Sequence, residues 1–152
     1  MFLGNHFSRS YIGVTASSDD YYFHYSTGDR LQWTNWGPNR PNKEPSDQRC
    51  VVMEWHPTDS GERDLGQWDD NDCTTYRPYV CSMPVQSELP KRDLENFNDC
   101  PEGWRSYGPA CFQVNTERKS YAAAKQFCDS QNARLVLNHF IKKLHCPDFT
   151  GS

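Results

Sequence analysis

The sequence predicts an α+β domain, stapled by disulfides and carrying a long irregular loop. Three observations predict it: short apolar runs bounded by turn residues, one alanine-rich helical stretch, and cysteines spread along the chain. Tyr11-Ile12-Gly13-Val14, Cys50-Val51-Val52-Met53 and Pro78-Tyr79-Val80-Cys81 read as buried strands, and Cys111-Phe112-Gln113-Val114 as another. Between the first two, Thr34 to Arg49 is a long irregular region, and loops of that length in a compact domain are usually functional. Ser120 to Cys128 reads as a helix. Its run of alanines favours one, Ser120 or Thr116 offers a cap, and Ala124, Phe127 and Cys128 share a face.

Composition narrows the class. Of 152 residues, 36% are hydrophobic and 14% aromatic, so the core rests on a few large rings. The net charge of −4, with signs mixed, argues against nucleic acid, which wants a basic face, and gives no attraction to anionic membranes. No segment is long and apolar enough to span a bilayer, so no direct membrane contact is expected here. The seven cysteines form no C-x-x-C, and no H-E-x-x-H is present. They read as disulfides in an oxidising compartment, with the odd count leaving a thiol over. Met1 to Ser10 lacks the apolar run of a secretory leader, which leads us to expect a piece of a longer chain with Met1 internal.

Several short motifs then fall in a specific order. Tyr11-Ile12-Gly13, Leu31-Gln32-Trp33-Thr34-Asn35-Trp36, Arg40-Pro41-Asn42, Trp68-Asp69-Asp70-x-x-Cys73 and Tyr79-Val80-Cys81 resemble the W-I-G strand, tryptophan-bearing loop approach, E-P-N, W-N-D-x-x-C and closing Y-I-C strand of the C-type lectin-like family. Further on, Cys100-Pro101-Glu102-Gly103-Trp104, Cys111-Phe112, the helix ending in Phe127-Cys128, and Ala133-Arg134-Leu135-Val136 resemble that family's opening turn, first helix and following strand. The order is unusual. Residues 1–83 look like the C-terminal part of one domain, with Met1 to Arg9 the end of its second helix, and 84–99 is a linker of charges and prolines. Residues 100–136 look like the N-terminal part of the next domain, in a tandem, mannose-receptor-like arrangement, and 137–152 is an atypical tail.

The resemblance implies an extracellular α+β, C-type lectin-like fold and three disulfides. Cys50 and Cys73 match the pair that braces the long loop, a closure worth ~3 kcal/mol in the loop-entropy model. Cys100 and Cys111 match the short N-terminal pair. Cys81 and Cys128 match the whole-domain pair, but from successive domains. A linker of roughly 18 residues, at ~3.3 Å each when extended, is long enough to reach back. We therefore expect a chain closed on itself as a permuted domain, with a Cys81–Cys128 bond and Cys146 left over.

In the sugar-binding members of the family, one calcium ion takes oxygen ligands from E-P-N, from a Glu two residues before the cysteine, and from the N-D pair, and a cis proline sets E-P-N. Here Pro41 and Asn42 are kept, and Asp69 and Asp70 both supply oxygen. Arg40 and Gln48 replace the two glutamates, and arginine has no acceptor. A guanidinium there repels a calcium ion by several kcal/mol even at an effective dielectric of ~20. The expected ligand-binding residues are Arg40, Asn42, Gln48, Asp69 and Asp70, with Arg40 paired to Asp69 or Asp70 in place of the ion.

The leading expectation is a recognition module for an extracellular glycan or protein, binding through the long loop without calcium. The alternatives are a calcium-dependent lectin using Asn42, Asp69, Asp70 and a recruited Glu44 or Asp47, and a structural spacer in a multidomain receptor. An enzyme is not expected, because no nucleophile accompanies the adjacent acids. Trp33, Trp36 and Trp68 read as core or loop anchors before they read as sugar-stacking platforms.

Overall fold

The computed structural model describes residues 9–17, 22–42, 49–54, 66–85 and 100–137. In chain order its elements are β1 (Arg9–Ala16), β2 (His24–Tyr25), β3 (Arg49–Glu54), β4 (Trp68–Asp72), β5 (Arg77–Pro84), β6 (Arg105–Tyr107), β7 (Ala110–Lys119), α1 (Tyr121–Ser130) and β8 (Arg134–Leu135). All the strands join one sheet, ordered β4-β3-β1-β5-β7-β6, with β2 on β1 and β8 on β5. The fold is α+β, with its helix on one face of the sheet. Arg9, which the resemblance assigned to the end of a helix, is instead the first residue of β1. Arg49 opens β3 rather than closing the loop. The tail after residue 137, Cys146 included, and residues 86–99 of the linker lie outside the described residues.

The central strands read as apolar runs because both faces of the sheet are covered. Side chains alternate between the faces. Tyr11, Cys50, Val52, Tyr79 and Cys81 face α1 and pack with Tyr121, Ala124, Cys128 and Leu135. Ile12, Val14, Val51, Met53 and Val80 face the other way, with Trp68, Phe112 and Val136. The helix begins where the sequence allows: Ser120 Oγ accepts from the amide of Ala123 at 3.4 Å, while Thr116 lies within β7. Phe127 is half-buried, its ring edge-on to Tyr79 with centroids 5.6 Å apart.

Residues 9–85 and 100–137 close into one unit along β5. One edge of β5 pairs antiparallel with β7 from Arg77↔Lys119 to Pro84↔Ala110. The other edge meets β1 at Tyr11↔Tyr79 and β8 at Cys81↔Leu135 and Ser82↔Arg134. Where β1 and β5 diverge, residue 136 fills the gap: Gly13 N–H donates to Val136 O at 2.9 Å, and Val136 N–H donates to Val80 O at 2.9 Å. Cys81 and Cys128 are bonded, Cα–Cα 5.5 Å, both wholly buried. Bonds also join Cys50 to Cys73 and Cys100 to Cys111.

Gly13 is needed for the closeness of that contact. A Cβ there would stand 2.7 Å from Leu135 O and 2.8 Å from Leu137 Cδ2. Gly13→Ala is therefore expected to cost about 1–3 kcal/mol by overpacking, measured by urea unfolding. It should also speed hydrogen exchange at the Val136 amide. Unchanged exchange there would contradict this account of the glycine.

Burial also raises the tyrosines of the helix face. Tyr11 is pushed up to about 12, chiefly by burial, eased by Arg77 and reinforced by Asp72. Tyr79 is pushed up to about 12 by burial and then by Glu117. Tyr121 is raised by burial as well. Above the ordinary value of 10.0 the folded chain holds protons that the unfolded chain releases. The stability these groups contribute is full below that pH and is lost as pH rises through about 12. In an alkaline titration, the last part of the tyrosinate absorbance rise should coincide with loss of the circular-dichroism signal. Full tyrosine ionisation in a chain still folded would contradict the assignment.

Candidate functional site

The candidate site is built on the edge strand β4 and the loop that lies over it. Aromatic packing fixes the loop first. Trp36 bridges to Trp68 in the parallel sense, and their rings meet edge-on at 5.4 Å. Trp33 meets Trp68 at 5.8 Å and Phe23 meets Trp36 at 4.8 Å. Backbone bonds sew the same places together: Trp68 N–H to Asn35 O at 2.8 Å and Gly37 N–H to Trp68 O at 2.9 Å. The Asn35 side-chain amide donates to Gly66 O at 2.8 Å. The Arg49 guanidinium lies 4.8 Å from the Phe23 ring centre. Trp68 is 1% exposed and belongs to the core, so the three tryptophans anchor the loop.

Beyond the anchor the chain turns through Asn39, whose φ is 57°, into a cis Arg40–Pro41 bond, the isomer that the family resemblance implies. Adjacent residues of a strand face opposite sides, so Asp69 and Asp70 meet the loop at different points. Asp70 Oδ1 accepts from the backbone N–H of Asn42 at 2.8 Å. Asp69 Oδ1 pairs with Arg40 Nε at 2.5 Å. The approach is off the N–H direction, so it is an ion pair without a hydrogen bond at that nitrogen. Of the two expected partners, Asp69 is the one that takes Arg40.

Two further residues complete the group. Arg9 Nη1 reaches Asp69 Oδ2 at 3.4 Å, and Arg9 Nε pairs with Glu54 Oε1 at 2.5 Å. The result is a line of alternating charge: Glu54, Arg9, Asp69, Arg40. The Asp69 side chain is 11% exposed and Arg40 21%, so the solvent screens these charges only in part. Arg9 and Glu54 went unnoticed in the sequence. Their signal is their pairing, Arg9↔Glu54, across β1 and β3, which only the strand register shows.

The structure thus brings together Arg40, Asn42, Asp69 and Asp70 of the predicted residues. Gln48, Glu44 and Asp47 lie outside the described residues.

A disulfide-stapled α+β sheet with a long anchored loop over its edge strand fits a domain of an oxidising, extracellular compartment. The family model described as the lectin C-type domain matches residues 2–83, and the chain belongs to that family. It is similar to C-type mannose receptor 2 of Rattus norvegicus, at 29% identity over 133 residues, covering 83% of this chain and 8% of the relative. The Homo sapiens protein of the same name is similar to the same extent, 29% over 133 residues, 83% and 8%. The secretory phospholipase A2 receptor of Oryctolagus cuniculus is 30% identical over 130 residues, covering 83% of this chain and 8% of the relative. The chain therefore spans about 8% of the length of these relatives. No solved structure matches it. Among the described residues no helix is long and apolar enough to cross a membrane.

The line of charges makes a measurable claim. In a double-mutant cycle of Arg40→Gln and Asp69→Asn, read by urea unfolding at low salt, the coupling is expected to be about 1–3 kcal/mol. It should shrink at high salt. A coupling near zero would mean that the pair contributes nothing to holding the loop.

Proposed function

We propose that this chain is a non-enzymatic extracellular recognition module that binds a glycan or protein ligand through its long loop, without calcium. The observation that supports it most is the Arg40–Asp69 pair. The family resemblance puts a calcium-ligating glutamate at position 40. Here that position supplies a cation, and both oxygens of Asp69 face guanidinium groups, Arg40 on one and Arg9 on the other. A calcium ion wants six to eight oxygens, several of them charged. The described donors fit it poorly, because bringing it to Asp69 means bringing it beside two fixed positive charges. Asp70 also has one oxygen already engaged by the Asn42 amide.

The remaining surface of the loop supports recognition. Pro38, Asn39, Pro41 and Asn42 are exposed, on a stem fixed by the tryptophans and tied at Arg40 and Asn42 to Asp69 and Asp70, so the ordering cost of binding falls on the tip alone. Both named relatives are receptors, which favours binding over catalysis. Residues 1–83 are read as the C-terminal part of one domain and 100–136 as the N-terminal part of the next. In favour of this, the family match ends at residue 83, while the alignments to the relatives are longer than that stretch.

Thermal unfolding of the oxidised chain should give the same midpoint in millimolar calcium and in chelator. Arg40→Glu should create a calcium-dependent rise by restoring a carboxylate. A rise in the unaltered chain would sink the calcium-free reading and point to Asn42, Asp69 and Asp70 with Glu44 at an ion. Arrays of glycans and extracellular proteins, screened in chelator, should give a signal that Arg40→Ala with Asn42→Ala abolishes. Silence on both arrays would make the chain a spacer.

A further inference from the structure

Residues 9–85 and 100–137 are each continuous in sequence, and only residues 86–99 connect them. The sheet closes entirely across the line between them. That line holds the whole β5–β7 ladder, the β5–β8 pairs, and Tyr121 N–H to Cys73 O at 3.0 Å. It also holds the edge-on Tyr11–Tyr121 rings at 5.4 Å and the Cys81–Cys128 bond. Each side is an incomplete half. Without residues 100–137, β5 has an open edge, and Tyr11, Tyr79 and Cys81 lose their cover. Without residues 9–85, the apolar face of α1 keeps Leu135 but loses Tyr11, Tyr79 and Cys81.

We propose that this seam is an exchange interface. Residues 100–137 of one copy dock on residues 9–85 of a second copy, and reciprocally, giving a two-fold dimer joined by two Cys81–Cys128 bonds. The occupant is a second copy of this chain because the segment it supplies is identical to the one already seated. Every contact made within one chain is therefore available between two, and only the path of the connector changes. An open β5, apolar on both faces, is also the kind of strand edge that pairs with whatever complementary strand is nearest. Closure within one chain is favoured by the effective concentration a short connector imposes, on the order of millimolar. Exchange competes as the chain concentration during folding approaches that value. Each bond forms as two thiols give up two electrons and two protons to a disulfide oxidant such as oxidised glutathione. The candidate binding loop lies wholly on residues 9–85 and takes no part in the seam. The dimer consequently presents two intact loops on one particle, an arrangement that raises avidity for a repeated ligand without any new contact.

The test mixes equal amounts of isotopically heavy and light full-length chain. The mixture is reduced and unfolded, then refolded in a glutathione buffer at concentrations from about 1 μM up to about 1 mM, which approach the effective concentration of the connector from below. The disulfide-linked peptides are then weighed. The expected result is hybrid heavy–light Cys81–Cys128 peptides that increase with concentration and reach about half of that peptide in the dimer fraction. The Cys50–Cys73 and Cys100–Cys111 peptides should stay unmixed, because both cysteines of each pair lie in one stretch. Unmixed Cys81–Cys128 peptides at every concentration would overturn the proposal. Mixing in all three bonds would overturn it as well, since that outcome is scrambling and not exchange. Neither result bears on what the loop binds.

Discussion

Strand β5 has two edges to satisfy, and the rest of the molecule is arranged around that need. A buried strand edge left unpaired forfeits its backbone hydrogen bonds in a place water cannot supply them. Among the described residues, 9–85 pair with β5 at Tyr79, through β1. Everything else comes from residues 100–137: β7 along one side, β8 and the Val136 amide along the other. Hence the first stretch does not amount to a finished sheet, although it carries the candidate binding loop. The Cys81–Cys128 bond sits in the middle of this pairing, across 47 residues of sequence. In the loop-entropy model a cross-link of that span is worth about 4 kcal/mol, comparable to the loss of a large core side chain.

The loop at the far edge of the sheet is held by a different kind of force. Its stem is fixed by ring packing around Trp68, and its tip by charge. A metal ion in that place would make the order of the tip depend on ion supply. A guanidinium is part of the chain and stays charged at any pH a protein meets. The arrangement carries its own cost, since pairing partly buried charges gives up hydration and the return depends on geometry. Alternating the signs along Glu54, Arg9, Asp69 and Arg40 lessens that cost, because each inner charge has two opposite neighbours.

Much of this was legible in the sequence, and the parts that were share a cause. The strands at Tyr11, Cys50, Tyr79 and Cys111, the helix capped by Ser120, and the change of charge at position 40 are local signals that need no knowledge of neighbours. What escaped depends on register. Trp68 to Asp72 matches a family motif but carries no strand signal of its own, yet it is a strand paired with β3 from Arg49↔Asp72 to Met53↔Trp68. Its polar Asp-Asp-Asn run hides that, since sequence patterns reward apolar alternation and two of these acids are buried by partners instead. Arg9 and Glu54 escaped for the same reason. The close approach at Gly13 follows from where residues 135–137 arrive, which no neighbour of Gly13 in sequence foretells.

The separation of seam and loop bears on how the domain works. Opening the seam undoes the core of both faces at once, whereas displacing the tip of the loop breaks, among the described residues, the Arg40–Asp69 ion pair and the hydrogen bonds from Asn42 N–H to Asp70 and from Arg40 N–H to Gly37 O. Local free energies of opening in a protein span from near zero to the global value. The tip at Asn39 to Asn42 therefore belongs to the low end and the β5–β7 ladder to the high end. The Cys50–Cys73 bond marks the border between the two regimes. It ties the second residue of β3 to the residue just beyond β4, so that the far end of the loop is joined covalently to the edge strand it lies over.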